Sequence, residues 1–584
     1  MTISSGRHTF RFGTDVMAPL KLDYIDVPGT RGRFDFAAVY TSYFGVGGTG
    51  NALADFLAGT PINVLLTNAG VVEQRRYMYS FFGQDDWRIT PKLTVNLGLR
   101  YDFGTPSYEE NNKLANFNPT AALAATDQAQ ALSSLRLASD GSLENRALIK
   151  PDRNNFAPRF GFAYSVTDKF VIRGGYGMYF NLLDRIGSED QIALNPPNII
   201  NFNTRTDAAG SAVGGVTLNG GLPANLLSPN NISIRNIQVR AANPNAVTPY
   251  IQQMSIGGQY ELFKDWLVEA NYVHTKGTKL YTLRDLNQPL PNTANSRPFP
   301  QFGLVEYRDD NGVSNYDAFE MTVDKRFADG YTIRLAYTLS QSKDNSGEHL
   351  TSGGSSSFPD NARDLSNWYG FSDFDVRHRV VVNGIWELPF GKNKSYFQSG
   401  IGGTILGGWV LTGSMNTRTG RPFTVTQSGD PLRLGSLTTT LADLVGNPTI
   451  ENQTVDRWFN QSAFQLLTGT TTRFGLQPRN SLRGPGLPLL ILRFIENSLY
   501  GTKIPILNFA GKYLTHSIGR ISDCQTGLSM AADSAQLQLC KAIRELCNLR
   551  CALAFNQETS WLRLWEKFIK KTSPVFFCVS KRTK

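Results

Sequence analysis

Paired period-two segments, joined alternately by very short and very long links, constrain this 584-residue chain more than any other feature. The pairs are read at 75–89/93–103, 156–166/169–180, 250–262/266–276, 316–326/331–341 and 377–389/407–417. Four of the internal links are tiny: Thr90–Lys92, Thr167–Asp168, Phe263–Asp265 and Phe327–Gly330. The fifth, near 390–406, is longer and carries Gly391, Gly400, Gly402 and Gly403. Between the pairs run the stretches 104–155, 181–249, 277–315 and 342–376. Unstructured loops beyond about 12–15 residues are uncommon in compact soluble domains. Short turns at one end and long loops at the other are the layout of a barrel in an outer membrane. This argues for an all-β fold, an antiparallel transmembrane β-barrel, over a soluble sandwich or propeller.

Within the pairs the alternation is strict. Tyr331, Ile333, Leu335, Tyr337 and Leu339 share one face of a strand, and Thr332, Arg334, Ala336, Thr338 and Ser340 the other. Val95, Leu97, Leu99 and Tyr101 oppose Thr94, Asn96, Gly98 and Arg100. Tyr250, Met254, Ile256, Tyr260 and Leu262 oppose Gln253, Ser255, Gln259 and Glu261. Side chains of a strand alternate between faces, so each segment presents one apolar and one polar or glycine surface. A tilted strand needs about 9–11 residues to cross a bilayer, and these suffice. Aromatic residues gather at strand ends (Tyr77, Tyr79, Phe81 and Trp87; Tyr176, Tyr179 and Phe180; Trp386 and Trp409), as in interfacial girdles. Ordinary sheet packing also accounts for such rings.

Composition changes near residue 486. All five cysteines (Cys524, Cys540, Cys547, Cys551 and Cys578) follow it, and residues 487–584 hold 14 Lys and Arg against 6 Asp and Glu. The formal charge of +10 is therefore mostly a property of the tail and gives the body no nucleic-acid character. Fifty of the 54 glycines precede the boundary. The chain divides into a barrel-like body, 1–486, and an unrelated basic, cysteine-containing tail, 487–584, that carries no period-two strand and reads as helical over Ser529–Lys571 or as disordered. The change has the look of a shifted or fused reading frame. The cysteine-free body suits an oxidising compartment. No apolar run is long enough for a membrane helix, and residues 1–8 show no secretory leader.

No catalytic group, cofactor site or metal site emerges. Gly45–Gly50 matches G-x-G-x-x-G, but only a short helix over Asn51–Ala58 follows before Pro61, with no βαβ unit, so it reads as a glycine-rich connector. His8, His274, His349, His378 and His516 are scattered, and Cys547 and Cys551 lack a second ligand pair. Asp85 and Asp86 point to opposite faces of a strand and read, with Glu109 and Glu110, as a solvated rim. Asp375–Arg379 reads as rim charge where a loop enters a strand.

Taken together, several segments resemble the Oar-like TonB-dependent outer-membrane transporters: Gln84–Tyr101, Asn51–Leu57, Asn155–Tyr164, Ser314–Phe319, Asp375–Arg379 with Leu388–Gly391, Gly407–Trp409, and Asn480–Gly486. The resemblance covers roughly 6–486. It implies a barrel in the outer membrane, assembled there by the barrel-assembly machinery and bathed in outer-membrane lipid. It also implies capture of a ligand by extracellular loops, here 104–155, 181–249 and 277–315, and import driven through TonB. The ligand and its binding residues are not implied. The family's leader, regulatory-like domain, plug and TonB-contact segment are not seen in this sequence, nor is a terminal aromatic residue after the last strand. The expectation is thus an incomplete barrel of that kind, not an enzyme. A passive porin or adhesion barrel and a secreted β-rich binding protein stand as alternatives.

Overall fold

The computed structural model describes residues 1–496, apart from 25–31, 37, 39, 42–49, 69, 183–189, 206–216, 223–226, 228–238, 294–296, 348–357, 428–430, 435–439 and 455–456. Beyond 496 it describes only the backbone of Ile506–Gly511, Leu528–Met530 and Val579–Ser580. Among the described residues, one sheet of 18 strands organises the molecule. Its long members are β2 (His8–Tyr24), preceded by the short β1 (Thr2–Ser5), then β3 (Val72–Thr90), β4 (Leu93–Gly104), β5 (Phe156–Thr167) and β6 (Phe170–Phe180). There follow β7 (Tyr250–Phe263), β8 (Trp266–Asp285), β9 (Val305–Ala328), β10 (Tyr331–Asp344), β11 (His378–Glu387), β12 (Trp409–Arg418) and β13 (Leu487–Glu496).

Each long strand pairs antiparallel with the next in sequence, from β2 through β13. All five hairpins read from the alternation are present, with the tight turns where expected. Asp265 and Asp329 accept positive φ (66° and 54°) at two of these turns, and Gly330 (82°) follows Asp329. Short polar side chains and glycine tolerate this left-handed conformation at low cost.

The register carries the two faces across the whole sheet. Phe81 lies opposite Tyr101, which lies opposite Phe156. Phe160 pairs with Leu97 and Tyr176, and Tyr176 with Met254. Ile256 faces Tyr272, which faces Phe319, then Leu339. Much of this face remains exposed although its side chains are large and apolar: Leu97 is 46% exposed and Ile256 56%. A contiguous apolar band of this extent needs a cover, and in a barrel the cover is lipid. The opposite face carries Asp86, Asn96, Arg100, Arg159, Gln253, Glu269, Glu320 and Asn383 at alternate positions, a surface for a hydrated interior.

Three features depart from expectation. His8–Tyr24 forms an unforeseen strand along β3. β8 and β9 run past the expected ends at 276 and 316, to Asp285 and from Val305, so the connection is far shorter than 277–315. Irregularities at Thr278, Leu280 and Thr282 carry the ladder through a polar stretch where the simple alternation fails. The sheet also continues beyond residue 486. Leu487–Glu496 pairs residue for residue with Arg418–Trp409. Leu487-Pro-Leu-Leu-Ile-Leu492 is apolar at consecutive positions, and this hides the period of two that would mark a strand. The helix read over Ser529–Lys571 and the five cysteines lie outside the described residues, save the strand Leu528–Met530.

Candidate functional site

Above the apolar band, the long connections fold into a crown. Its core begins with Phe117, whose ring meets Phe299 and Phe302 edge-on at 5.0 and 5.1 Å, and packs against Leu135, Ile200, Val239 and Val305. A second cluster joins Val72, Leu114, Leu148, Ile192 and Ala242. A third, from 419–486, joins Val425, Phe459, Phe464 and Leu482. Connections expected to be loops thus bury hydrophobic cores of their own. The segment 104–155 contains helices Pro119–Ala124, Gln128–Ser133 and Leu143–Ala147, each with an Asn, Asp or Ser side chain capping its first turn.

Buried side-chain amides stitch the crown together. The backbone of Val239–Ala242, paired parallel to Val305–Arg308, meets two of them. Asn195 donates to Ala115 O (2.5 Å) and Arg240 O (2.7 Å) and accepts from Arg240 N (2.8 Å). Asn116 donates to Ala242 O (2.9 Å) and accepts from Ala242 N (3.0 Å). Asn287 donates to Phe299 O, Phe302 O and Gly303 O, at 3.1, 2.9 and 2.7 Å. Gln288 donates to Asp360 O (2.7 Å) and accepts from Ala362 N (2.9 Å), which ties the β8–β9 connection to the segment before β11. An amide both donates and accepts, so it substitutes for a strand neighbour where none is available.

Charges inside the crown follow burial. Asp285 accepts from Asn287 N (2.9 Å) and Val305 N (3.2 Å) and lies 3.9 Å from Arg297; burial outweighs these partners and pushes it up to about 6. Burial likewise pushes Asp360 up to about 6. Asp443 goes the other way: Arg473 donates to both its oxygens, at 2.8 and 2.5 Å, and this bidentate bond holds it below the usual carboxylate range.

Where the strand tops meet the crown lies a cleft of ≈ 50 Å³ lined by Arg76, Lys150, Asp152, Asn181, Asn243, Thr248, Tyr281 and Arg308. Asp152 accepts from Thr248 N (2.8 Å), and the Arg308 guanidinium sits 4.2 Å above the Tyr281 ring. Sites for whole small molecules run to about 300–1,000 Å³, so this cleft accommodates one polar group at most.

The residues singled out in the sequence are placed as follows. Asp85 and Asp86 do point to opposite faces, but neither is a free solvated carboxylate: His8 Nδ1 lies 2.7 Å from Asp85, and Arg11, Gln84 and Asn96 hold Asp86 at 2.8, 2.8 and 2.6 Å. Glu109 is fully buried and accepts from Asn111 N and Lys113 N, while Glu110 pairs with Arg75 at 2.5 Å. Asp375 is not rim charge. It is buried, accepts from Ser342 N (2.6 Å) and receives Arg483. Arg479 similarly reaches Asp344, and Asn480 donates to Phe371 O (2.7 Å) and Asp373 (2.6 Å). The segments 375–379 and 480–486, separate in the sequence, form one clasp. His274 bonds Asp317 (2.8 Å) and His378 bonds the Tyr337 hydroxyl (2.9 Å). His349, His516 and the glycine-rich stretch 45–49 lie outside the described residues. Among the described residues no group of three His, Cys, Asp or Glu is arranged to hold a metal ion, and no helix is long and apolar enough to cross a membrane.

Comparison with known families matches residues 1–489 to the outer membrane beta barrel domain. No curated protein matches the chain. Among solved structures, the outer membrane transporter YddB from Escherichia coli is similar with a TM-score of 0.42 at 11% identity, over 87% of this chain and 48% of that one. The siderophore receptor PiuA from Acinetobacter baumannii gives 0.39 at 11%, over 87% and 50%. A point mutant of the ferric enterobactin receptor PfeA from Pseudomonas aeruginosa, in complex with enterobactin, gives 0.38 at 9%, over 87% and 46%. The chain thus spans about half the length of these structures.

Proposed function

The chain belongs to the outer membrane beta barrel domain family and is an outer-membrane protein; from that premise we propose that it forms the wall and ligand-facing crown of a TonB-dependent transporter of the Oar-like kind. The observation that carries the reading is the crown itself. Long connections at one end are common to outer-membrane barrels, and what marks this crown is its internal packing. Here the connections bury three hydrophobic clusters and are pinned by Asn116, Asn195, Asn287 and Gln288. Such rigidity suits capture of a specific ligand, because little entropy is lost when a preorganised surface binds. Composition further supports residues 1–486 as the barrel portion, to which the pairing of Leu487–Glu496 with β12 adds one more strand, and the cysteine-bearing stretch after it as a separate piece. The barrel portion performs no chemistry; its partners are membrane lipid, the assembly machinery and TonB.

The alternative is a passive porin or adhesion barrel, for which the continuous polar inner face is the supporting observation. Dependence of uptake on TonB separates the two, because a wall without a plug conducts under either reading. Uptake that disappears in cells lacking TonB is the outcome expected for the transporter. Uptake unchanged without TonB overturns it.

A further inference from the structure

The fifth link, between β11 and β12, differs from the other tight turns. Leu388 N donates to Trp409 O (2.9 Å) as the strands part, and the chain then makes an excursion that contains the helix Gly400–Leu406. Gly391 and Gly407 form its neck: a Cβ on Gly391 would lie 2.6 Å from Gly407 Cα, and one on Gly407 would lie 2.3 Å from Gly403 O. The excursion leans toward the lipid-facing side of the wall. Trp409 lies on the same face as Leu411, which pairs with Trp386 in the apolar band, and the Trp409 indole donates to Ile405 O (2.9 Å). Its apolar side chains are not folded inward. Ile401 is 79% exposed and Ile405 62%, with Tyr396, Phe397 and Leu406 exposed beside them. Lys392 is also exposed, and Lys394 bonds Glu387 at 2.7 Å.

We propose that the excursion 388–408 is an interfacial anchor, seated in the headgroup region of the phospholipid leaflet at the short-turn end of the barrel. The occupant of this apolar surface is lipid because the surface is continuous with the band that lipid already covers, through Trp386 and Trp409. A short helix with exposed Ile, preceded by exposed aromatic side chains and lysine, lies in an interface rather than across it, and tryptophan marks that depth. The anchor rests on the barrel reading, with short turns on the periplasmic side.

The test uses the full chain refolded into vesicles of phosphatidylethanolamine and phosphatidylglycerol, brominated either near the carbonyl or deep in the acyl chain. Ile401→Trp reports on the excursion and Ile256→Trp on the band, each as the increment over wild-type fluorescence. The increment from Ile401→Trp is expected to be blue-shifted and quenched more by the shallow bromine. The increment from Ile256→Trp is expected to be quenched more by the deep one. Lys392→Glu, added to Ile401→Trp, is expected to weaken the quenching in vesicles rich in phosphatidylglycerol. An Ile401→Trp increment that emits as in water and is unquenched, while the Ile256→Trp increment is quenched, overturns the anchor and leaves the barrel standing; a periplasmic protein partner would then be the occupant. Loss of quenching at both positions overturns the barrel reading and the anchor with it.

Discussion

Arg483 donates from Nη2 to Asp375 Oδ2 across 108 residues of sequence, joining the long β12–β13 connection to the entrance of β11. Asp375 is buried, and its other oxygen accepts from Ser342 N at 2.6 Å. Removing one member of a buried pair leaves an uncompensated charge, at a cost of about 3–5 kcal/mol. Arg483→Met, which leaves the buried Asp375 without its charge partner, is therefore expected to lower the unfolding midpoint sharply. The double variant Asp375→Asn, Arg483→Met is expected to recover part of the loss, because no lone charge remains. Heat-modifiable gel migration over a temperature series measures both.

The buried carboxylates of the crown give it a pH response. Asp285 and Asp360 titrate at about 6 when folded, against about 3.9 unfolded. Between these values the folded crown holds protons that the unfolded chain has released, so its stability falls as pH rises through the window and levels off above about 6. Each group accounts for at most about 3 kcal/mol. Amide exchange in 286–304, corrected for intrinsic rates, is expected to be slower at pH 5 than at pH 7. Asp285→Asn keeps the acceptor for Asn287 N and Val305 N, and it is expected to reduce that difference.

Adjacent positions on one strand are expected to respond oppositely to the same change. Ile256 lies in the lipid-facing band, and Ser255 beside it on the polar face. Arginine at a lipid-facing midplane position costs about 2–4 kcal/mol. Ile256→Arg should show that loss in denaturant titrations of the vesicle-embedded protein, and Ser255→Arg little or none. Equal effects would remove the assignment of the faces.

The glycine neck predicts a local failure. Gly407→Val places a side chain against Gly403 O and Gly391 Cα. The Trp409–Ile405 bond should be lost and amide exchange in Gly400–Leu406 accelerated, while the heat-modifiable band stays in place.

These residues also show what the sequence can and cannot tell. The hairpin Gln84–Tyr101 is legible because alternation and a tight turn are both local. His8–Met17 alternates just as clearly, with Phe10 and Phe12 against Arg11 and Gly13, yet no tight hairpin partner lies nearby in sequence to mark it as a strand. The clasp is hidden for a different reason: Asp375 carries no mark of its partner 108 residues away, and a charge at a strand entrance is most often solvated. The amide rungs of Asn116 and Asn195 are equally silent, since asparagine in a long connection ordinarily signals a turn. Leu487–Glu496 escapes because it is apolar on both faces. Its Leu489 and Ile491 sit opposite Asn416 and Ser414 on the otherwise polar side.

β9 runs unbroken for 24 residues, roughly 80 Å at about 3.4 Å per residue, where a bilayer crossing uses fewer than half of them. Its ladder with β8 extends from Trp266 opposite Lys325 at the base to Asp285 opposite Glu306 in the crown. Crown and base are therefore ends of one continuous ladder, bent at the irregularities between Thr278 and Thr282, and not two bodies joined by a slack loop.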